Sequence, residues 1–373
     1  MAPSKIDRVG RWAHEIWHEP PPDEVVEGVV WSERVTVLVA ESGAGKTFVL
    51  LDVAAAVSAD LPWHGRSTFG GSVAYCSYEG DAFGVRLRAM NLHSGHRFAH
   101  LAVIRLSDPI SPVTGFDGVD EQPSRGERQL VQEIEALQDD ILTEGYPPLR
   151  LIVIDTVRAS MTGNENGSDT TAAYVRVVRR LLARVPTAGC ILAHHAGWQD
   201  GEKPTKRERG SSAWRGNVDA TLYLEAGEFD STAGTAPLTL SALKVRDSER
   251  PPPLHLVRRR VTLNESDVRG QPLTSCVIDR DRRTNEEQAA DAQAQAAQTE
   301  HRLDLKTLQV LAKRSTVATS QDQLRQLVGG KRDHVYASLT RLLEHAWVEI
   351  PERQRQPYRI TTLGLEVLNG GDG

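Results

Sequence analysis

"AESGAGKT", residues 40–47, reads as a phosphate-binding loop with one departure: the pattern G-x-x-x-x-G-K-[ST] wants glycine where this chain has Ala40. The apolar, β-branched run "RVTVLVA" (34–40) enters the loop as a strand, and "KTFVLLDVAAAVSA" (46–59) leaves it as a buried helix. In such a loop Ser42, Gly43, Ala44 and Gly45 turn backbone N–H groups toward phosphate, with the glycines avoiding Cβ interference. Lys46 reaches the β- and γ-phosphates, the Thr47 hydroxyl ligates Mg²⁺, and the helix adds the positive end of its dipole. Ala40 falls at the strand end, where a negative φ suffices, so ATP with Mg²⁺ is expected to bind. The bland alternative, a chance glycine-rich turn, fits poorly with a strand before and a helix after.

Working outward, "GSVAYCSYEG" (71–80) is a second strand, followed by a helix carrying Arg86 and Arg88. Residues 107–126 are turn-rich, and "RQLVQEIEALQDDIL" (128–142) has helical apolar spacing. "LRLIVIDT" (149–156) is a continuous apolar strand of the kind buried on both faces. "AAYVRVVRRLLARV" and "GCILAHHA" complete another βαβ unit, and "ATLYLEA", "LTLSALKV" and "LHLVRRRVTL" follow as strands. Alternating strands and helices, then strands alone, predict an α/β fold: a mostly parallel sheet flanked by helices, with antiparallel edge strands.

The strand ends carry the chemistry. Asp155, closing "LIVID", is placed to hold Mg²⁺ through water. In one large NTPase class the catalytic carboxylate directly follows that aspartate; here Thr156 follows it, and the available acid is Glu79, after the second strand. If that strand lies beside the loop strand, Glu79 faces the γ-phosphate and polarises the attacking water; otherwise it is an exposed acid at a turn. His194 and His195 end a third strand and point to opposite faces, so one enters the site, and His195 is the expected one. A zinc pair would need a third ligand at suitable spacing, which the neighbouring sequence lacks.

"GAGKT", "YEG", "VIDT" and "AHHAG" together resemble a RecA-like P-loop ATPase of the RepA hexameric replicative helicase type. "RGSSAWRGNVDATLYLE" (209–225) and "LKVRDSERPPPLHL" (243–256) extend the resemblance, which covers roughly residues 25–280. It implies ATP–Mg²⁺ bound between subunits of a homo-oligomeric ring, a hexamer, that translocates on single-stranded DNA through a central channel. It assigns the nucleotide roles to Lys46, Thr47, Glu79, Asp155 and His195, and a transition-state arginine from the neighbouring subunit to Arg246, with Lys244 on the same strand face. The prototype has an arginine near the position of Asp219, where this chain has an acid. Loops following these strands line the channel in such rings, which implicates Lys203, Lys206, Arg207 and Arg209 in DNA contact; a solvated loop is the alternative.

The 373 residues suit one large domain plus a small one. Residues 1–24 form an N-terminal arm, 25–283 the ATPase domain, the Ala/Gln-rich 284–300 a helical or flexible linker, and 301–373 a second domain. Net charge is −6, yet residues 301–373 hold 11 Lys and Arg against 8 Asp and Glu. In that segment two helices, a third after "GG", and "WVEIPERQRQPYRIT" predict a small winged helix-turn-helix domain. Its recognition helix would present Lys331, Arg332, His334 and Tyr336 to duplex DNA, and its wing Arg353, Arg355 and Arg359. Three scattered cysteines suggest neither disulfides nor zinc, and with no apolar segment of signal or membrane-span length the cytoplasm is the expected compartment, without membrane partners. The reading is an ATP-driven DNA helicase or translocase of plasmid or phage replication type. Its alternative is an origin-binding initiator or regulatory DNA-binding ATPase without unwinding.

Overall fold

A computed structural model describes residues 12–18, 21–80, 82–95, 98, 100–114, 121–165, 167–195, 212–283, 285–314, 319–329, 332–350 and 358–369. The chain divides into two compact units, the larger formed by residues up to Gly197 and from Glu208 to Asp281, the smaller built mainly on Arg282–Gly373.

The larger unit is a nine-stranded sheet. Its strands are β1 (Val35–Ala40), β2 (Ser72–Ser77), β3 (Leu101–Arg105), β4 (Leu149–Asp155), β5 (Gly189–His195), β6 (Ala220–Ala226), β7 (Thr235–Val245), β8 (Leu254–Ser266) and β9 (Pro272–Arg280). They lie in the order β9-β8-β7-β6-β1-β5-β4-β2-β3. The six strands from β6 to β3 pair in parallel, and β7, β8 and β9 extend the sheet antiparallel. This mixed α/β architecture is the expected one, and the reason is visible in burial. Strands β1, β2 and β4 are buried almost throughout, because each is covered on both faces.

Side-chain alternation divides these strands between two cores. Leu38 and Ala40, Tyr75, Val153 and Ala193 pack on α1 (Lys46–Ser58), which is buried nearly all round, and on α2 (Phe83–Ser94). Val37 and Val39, Ala74, Ile152 and Leu192 pack with Leu130 and Ile134 of α3 (Arg125–Glu144) and with Tyr174, Val178 and Leu181 of α4 (Ser168–Leu182). Trp214 of the short helix α5 (Ser212–Asn217) is fully buried in the second core. Helix α3 begins at Arg125, three residues before the predicted start, because Ser124 caps it by accepting from the Glu127 N–H.

In the smaller unit, α6 (Asn285–Ala312) runs unbroken through the predicted linker into the first helix of the C-terminal segment. Helix α7 (Gln321–Val328) opens on a reciprocal capping box between Ser320 and Gln323. Helix α8 (Arg332–Glu344), the short strands β10 (Val348–Glu349) and β11 (Arg359–Ile360), and α9 (Thr362–Leu368) complete it. Leu308, Leu324, Val335, Leu339 and Val348 form its core. Arg341 of α8 grips Asp304 of α6 through two hydrogen bonds, at 3.0 and 2.9 Å. Among the described residues no helix is long and apolar enough to cross a membrane.

Candidate nucleotide site

Parallel strands deliver their C-terminal ends to one edge of the sheet, and four of them bring the predicted residues together. Between β1 and α1 the loop places Gly43 at φ +77° and Gly45 at φ +101°, conformations that side-chain-bearing residues rarely adopt. A Cβ on Gly43 would meet no atom within 4 Å, so backbone conformation rather than crowding demands glycine there. Ala40, the departure from the pattern, is simply the buried last residue of β1, paired with His195 and Leu224.

Lys46 is only 5% exposed, and all three of its ammonium protons have acceptors: the carbonyls of Ala40 and Glu41 and Nδ1 of His195, each at 3.0 Å. Burial lowers its pKa to about 8, against the opposing pull of Asp155 and then Glu79. Burial, and next the Lys46 charge, lowers that of His195, which keeps its ring neutral and able to accept. Phosphate oxygens would therefore compete with His195 and two carbonyls for the same donor.

Asp155 is 2% exposed, and its Oδ2 accepts from the Tyr75 hydroxyl at 2.8 Å. Burial raises its pKa, and Glu79 adds to the rise; hydrogen bonding from Tyr75 and Thr47, and the Arg86 charge, oppose it. Oδ1 is buried without a partner at ordinary hydrogen-bond length among the described residues, although the Thr47 hydroxyl faces the same carboxylate. An orphaned carboxylate oxygen beside a hydroxyl suits a hard, oxygen-seeking cation. Among the described residues no cluster of three His, Cys, Asp or Glu side chains could hold a metal alone, so such a cation would complete its shell with phosphate and water. The Asp155–Thr156 peptide bond is cis.

Glu79 is exposed at the mouth of this site, and its Oε1 accepts from the Thr156 hydroxyl at 2.9 Å. The Ser77 hydroxyl donates to the Glu79 carbonyl at 2.9 Å and the Tyr78 N–H to the Asp155 carbonyl at 2.8 Å, tying the β2 and β4 ends together. The residue that vacates the adjacent-acid position thus steadies the acid found elsewhere. Thr156→Val removes one hydrogen bond to a charged group, and kcat for nucleotide hydrolysis is expected to fall about tenfold with KM little changed. Steady-state kinetics check this; a rise in KM alone would make Thr156 a binding residue.

Three neighbours were not assigned to the site by the sequence reading. Tyr75 lies two residues before Ser77 on the same face of β2, a parity the sequence does carry. The Arg86 guanidinium sits over the rings of Phe48 and Phe83, at 5.4 and 5.5 Å. Arg258, on β8, donates from Nη1 to the Gly43 carbonyl at 2.8 Å and flanks the ring of Phe229 together with Arg260. No sequence signal pointed to the Arg258 contact.

His194 faces the opposite core, its ring 5.0 Å from that of Trp214. It is 1% exposed, and neither ring nitrogen has a hydrogen-bond partner among the described residues. Burial, then the charges of His195 and Lys46, lowers its pKa to about 4. Between pH 6.5 and 4 the unfolded chain binds a proton that the folded chain refuses, so stability is full above that window and falls through it. The loss should reach about 3 kcal/mol, seen as a falling urea midpoint, and His194→Phe should flatten the dependence. An unchanged slope in the variant would assign acid sensitivity elsewhere.

Arg246 does not join this constellation. Val245 pairs with Ala220, and Ala220 with Thr36, which puts Arg246 at the other end of the sheet. Its Nη1 lies 3.2 Å from Asp219 Oδ1. Lys244, expected to share its task, instead donates to the carbonyls of Arg215 and Val218. In the smaller unit Arg332, His334 and Arg359 are exposed and Tyr336 is half-buried, with Arg332 Nε donating to the Tyr336 hydroxyl at 2.9 Å. Lys203, Lys206, Arg207, Arg209, Lys331, Arg353 and Arg355 lie outside the described residues.

A six-stranded parallel core, a glycine loop running into a buried helix, and carboxylates at adjacent strand ends define an α/β domain of the RecA-like P-loop class. Residues 3–201 match a family described as an AAA domain; the match spans more than half of the chain, and the protein belongs to that family. The larger unit is accordingly an ATPase-type domain. No curated protein is similar enough in sequence to count as a match.

Proposed function

We propose that the protein is an ATP-dependent DNA helicase or translocase of plasmid or phage replication type, working as a homo-oligomeric ring. The observation that carries the ATPase part is the meeting of Lys46, Asp155, Glu79 and His195 at one sheet edge, with Glu79 held by Thr156. Ser42, Gly43, Ala44 and Gly45 present backbone N–H groups to the phosphates, and Lys46 exchanges its internal acceptors for phosphate oxygens. Glu79 polarises the attacking water and takes its proton. His195, bonded to Lys46, registers whether the γ-phosphate is there. Thr47 and Asp155 are the residues that would hold Mg²⁺, which when bound neutralises charge on the β- and γ-phosphate oxygens.

Oligomerisation is supported by Arg246. It stands at the sheet end remote from its own phosphate loop, so a transition-state role for Arg246 would be exercised on the nucleotide of another copy. The exposed cations of the smaller unit, Arg332 and Arg359 with His334, fit a winged helix-turn-helix that recruits the ATPase to duplex DNA. Single-stranded DNA in a central channel, contacted by Lys203, Lys206, Arg207 and Arg209, completes the reading.

The test measures ATP turnover with and without single-stranded DNA, and strand displacement on a forked duplex. DNA-stimulated hydrolysis with displacement is expected. Hydrolysis without displacement on forks of either polarity would turn the assignment to an origin-binding initiator or regulatory ATPase. Absence of hydrolysis would reject the enzyme.

A further inference from the structure

At the sheet end opposite the phosphate loop, one buried carboxylate gathers three arginines. Asp219 Oδ2 accepts from the Val35 N–H at 3.0 Å. Its Oδ1 faces Arg246 Nη1 at 3.2 Å, Arg179 Nη2 at 3.4 Å and Arg34 Nη1 at 3.6 Å. Of the other acids there, Asp247 pairs with Arg34 at 3.3 Å, and Glu24 is engaged by the Trp31 indole at 3.0 Å and the Gly28 N–H at 3.2 Å. Lys244 adds a fourth cation close by, its pKa lowered by burial and then by Arg246.

Two carboxylates, Asp219 and Asp247, cannot neutralise three guanidiniums, each with five N–H donors. Yet Asp219 is 7% exposed, whereas the arginine side chains keep 31% (Arg34), 47% (Arg179) and 41% (Arg246) of their surface. The carboxylate is the buried anchor; Arg179 Nη2 also donates to the Asn217 carbonyl at 3.0 Å and Arg34 Nη2 to Asp247, and the three side chains remain partly exposed. Such an arrangement fixes cations in place for an external anion at little further ordering cost.

The chain itself supplies the anion's site. Leu240 and Val245 pair with Leu224 and Ala220 on β6, which in turn pair with Ala40 and Thr36 on β1. Five residues of strand therefore separate the arginine cluster from the phosphate loop, about 17 Å, beyond the reach of a side chain. A cationic end and a phosphate-binding end on opposite edges of one sheet are complementary between copies, in the head-to-tail association that closes rings.

We propose that Asp219 is a positioning residue that holds Arg246, with Arg34 and Arg179 beside it, as the receptor for the triphosphate bound by a second copy of this chain. This rests on the ATP-hydrolysing assembly proposed above. Asp219→Asn keeps an acceptor for the Val35 N–H but loses the charge that orders the arginines. Its kcat should fall tenfold or more, with the affinity for a fluorescent ATP analogue changed less than twofold.

The decisive experiment coexpresses full-length variants in pairs and measures ATP turnover. Glu79→Gln lacks a working site but has the arginines; Asp219→Asn and Arg246→Ala have the site but lack the ordered receptor. Glu79→Gln paired with either should regain about a quarter of wild-type turnover, the share of head-to-tail interfaces that set a working site against intact arginines in an equal random mixture. Asp219→Asn paired with Arg246→Ala should stay low. Rescue also shows that Asp219→Asn folds and binds ATP. Wild-type turnover in Asp219→Asn alone, or rescue of Arg246→Ala but not of Asp219→Asn, would overturn the positioning role while leaving the ATPase reading in place. If wild type does not hydrolyse ATP, or Arg246→Ala is not rescued, the trans-acting assembly falls and the receptor with it.

Discussion

Glu79→Gln is expected to lower kcat for ATP hydrolysis by ~10²–10⁴-fold, the range a positioned proton acceptor contributes, while ATP binding is retained. The exchange is isosteric, and the amide oxygen of glutamine still accepts from the Thr156 hydroxyl that holds Glu79 at 2.9 Å. What disappears is the ability to take a proton from water. The effect should lie in kcat, because Glu79 is exposed at the site mouth, whereas the loop and Lys46 hold the phosphates. Steady-state turnover and equilibrium binding on the same preparation measure the two parts. Turnover within threefold of wild type would remove Glu79 from the chemistry and leave the site without a carboxylate to polarise water.

Lys46→Ala should produce the second large effect, this time in nucleotide binding. The ammonium is the one loop group carrying a full positive charge, and its loss should lower kcat/KM by about 10²–10³-fold. Thermal denaturation gives an independent readout. At a hundredfold excess over Kd, MgATP should stabilise the wild-type protein by about 2.7 kcal/mol, and it should leave the melting temperature of the variant unmoved. The variant also strips the Ala40 and Glu41 carbonyls of their donor, so its melting temperature without nucleotide should fall somewhat. An ATP-induced shift of wild-type size in Lys46→Ala would mean that nucleotide binds without the loop.

The two predictions draw on different kinds of information. Lys46 was legible because its setting is local: strand, glycines at φ +77° and +101°, and helix follow one another within a few residues. Asp155 and His195 were legible as polar ends of apolar strands, and period-two alternation separated His195 from His194 without reference to any partner. Helices α7 and α8 of the smaller unit fall on stretches read as helical, whereas the capping box at Ser320 is a local device that the reading did not name.

By itself, then, the sequence determined the α/β class, the loop, the order of strands and helices along the chain, and which strand ends carry polar side chains to the loop's edge of the sheet. Each of these follows from backbone requirements or hydrophobic periodicity within ten or so residues. Only the tertiary structure decided that Thr156 steadies Glu79, 77 positions away, that Arg258 reaches Gly43 across 215 positions, and that Lys244 donates to the carbonyls of Arg215 and Val218. It also decided that Arg34, Arg179 and Arg246 converge on Asp219. The physical reason is strand order: β6 inserts beside β1, and β4 beside β2, as a global solution to burying both faces of the sheet. A side chain's distant partners are set by that packing, and no local pattern encodes them.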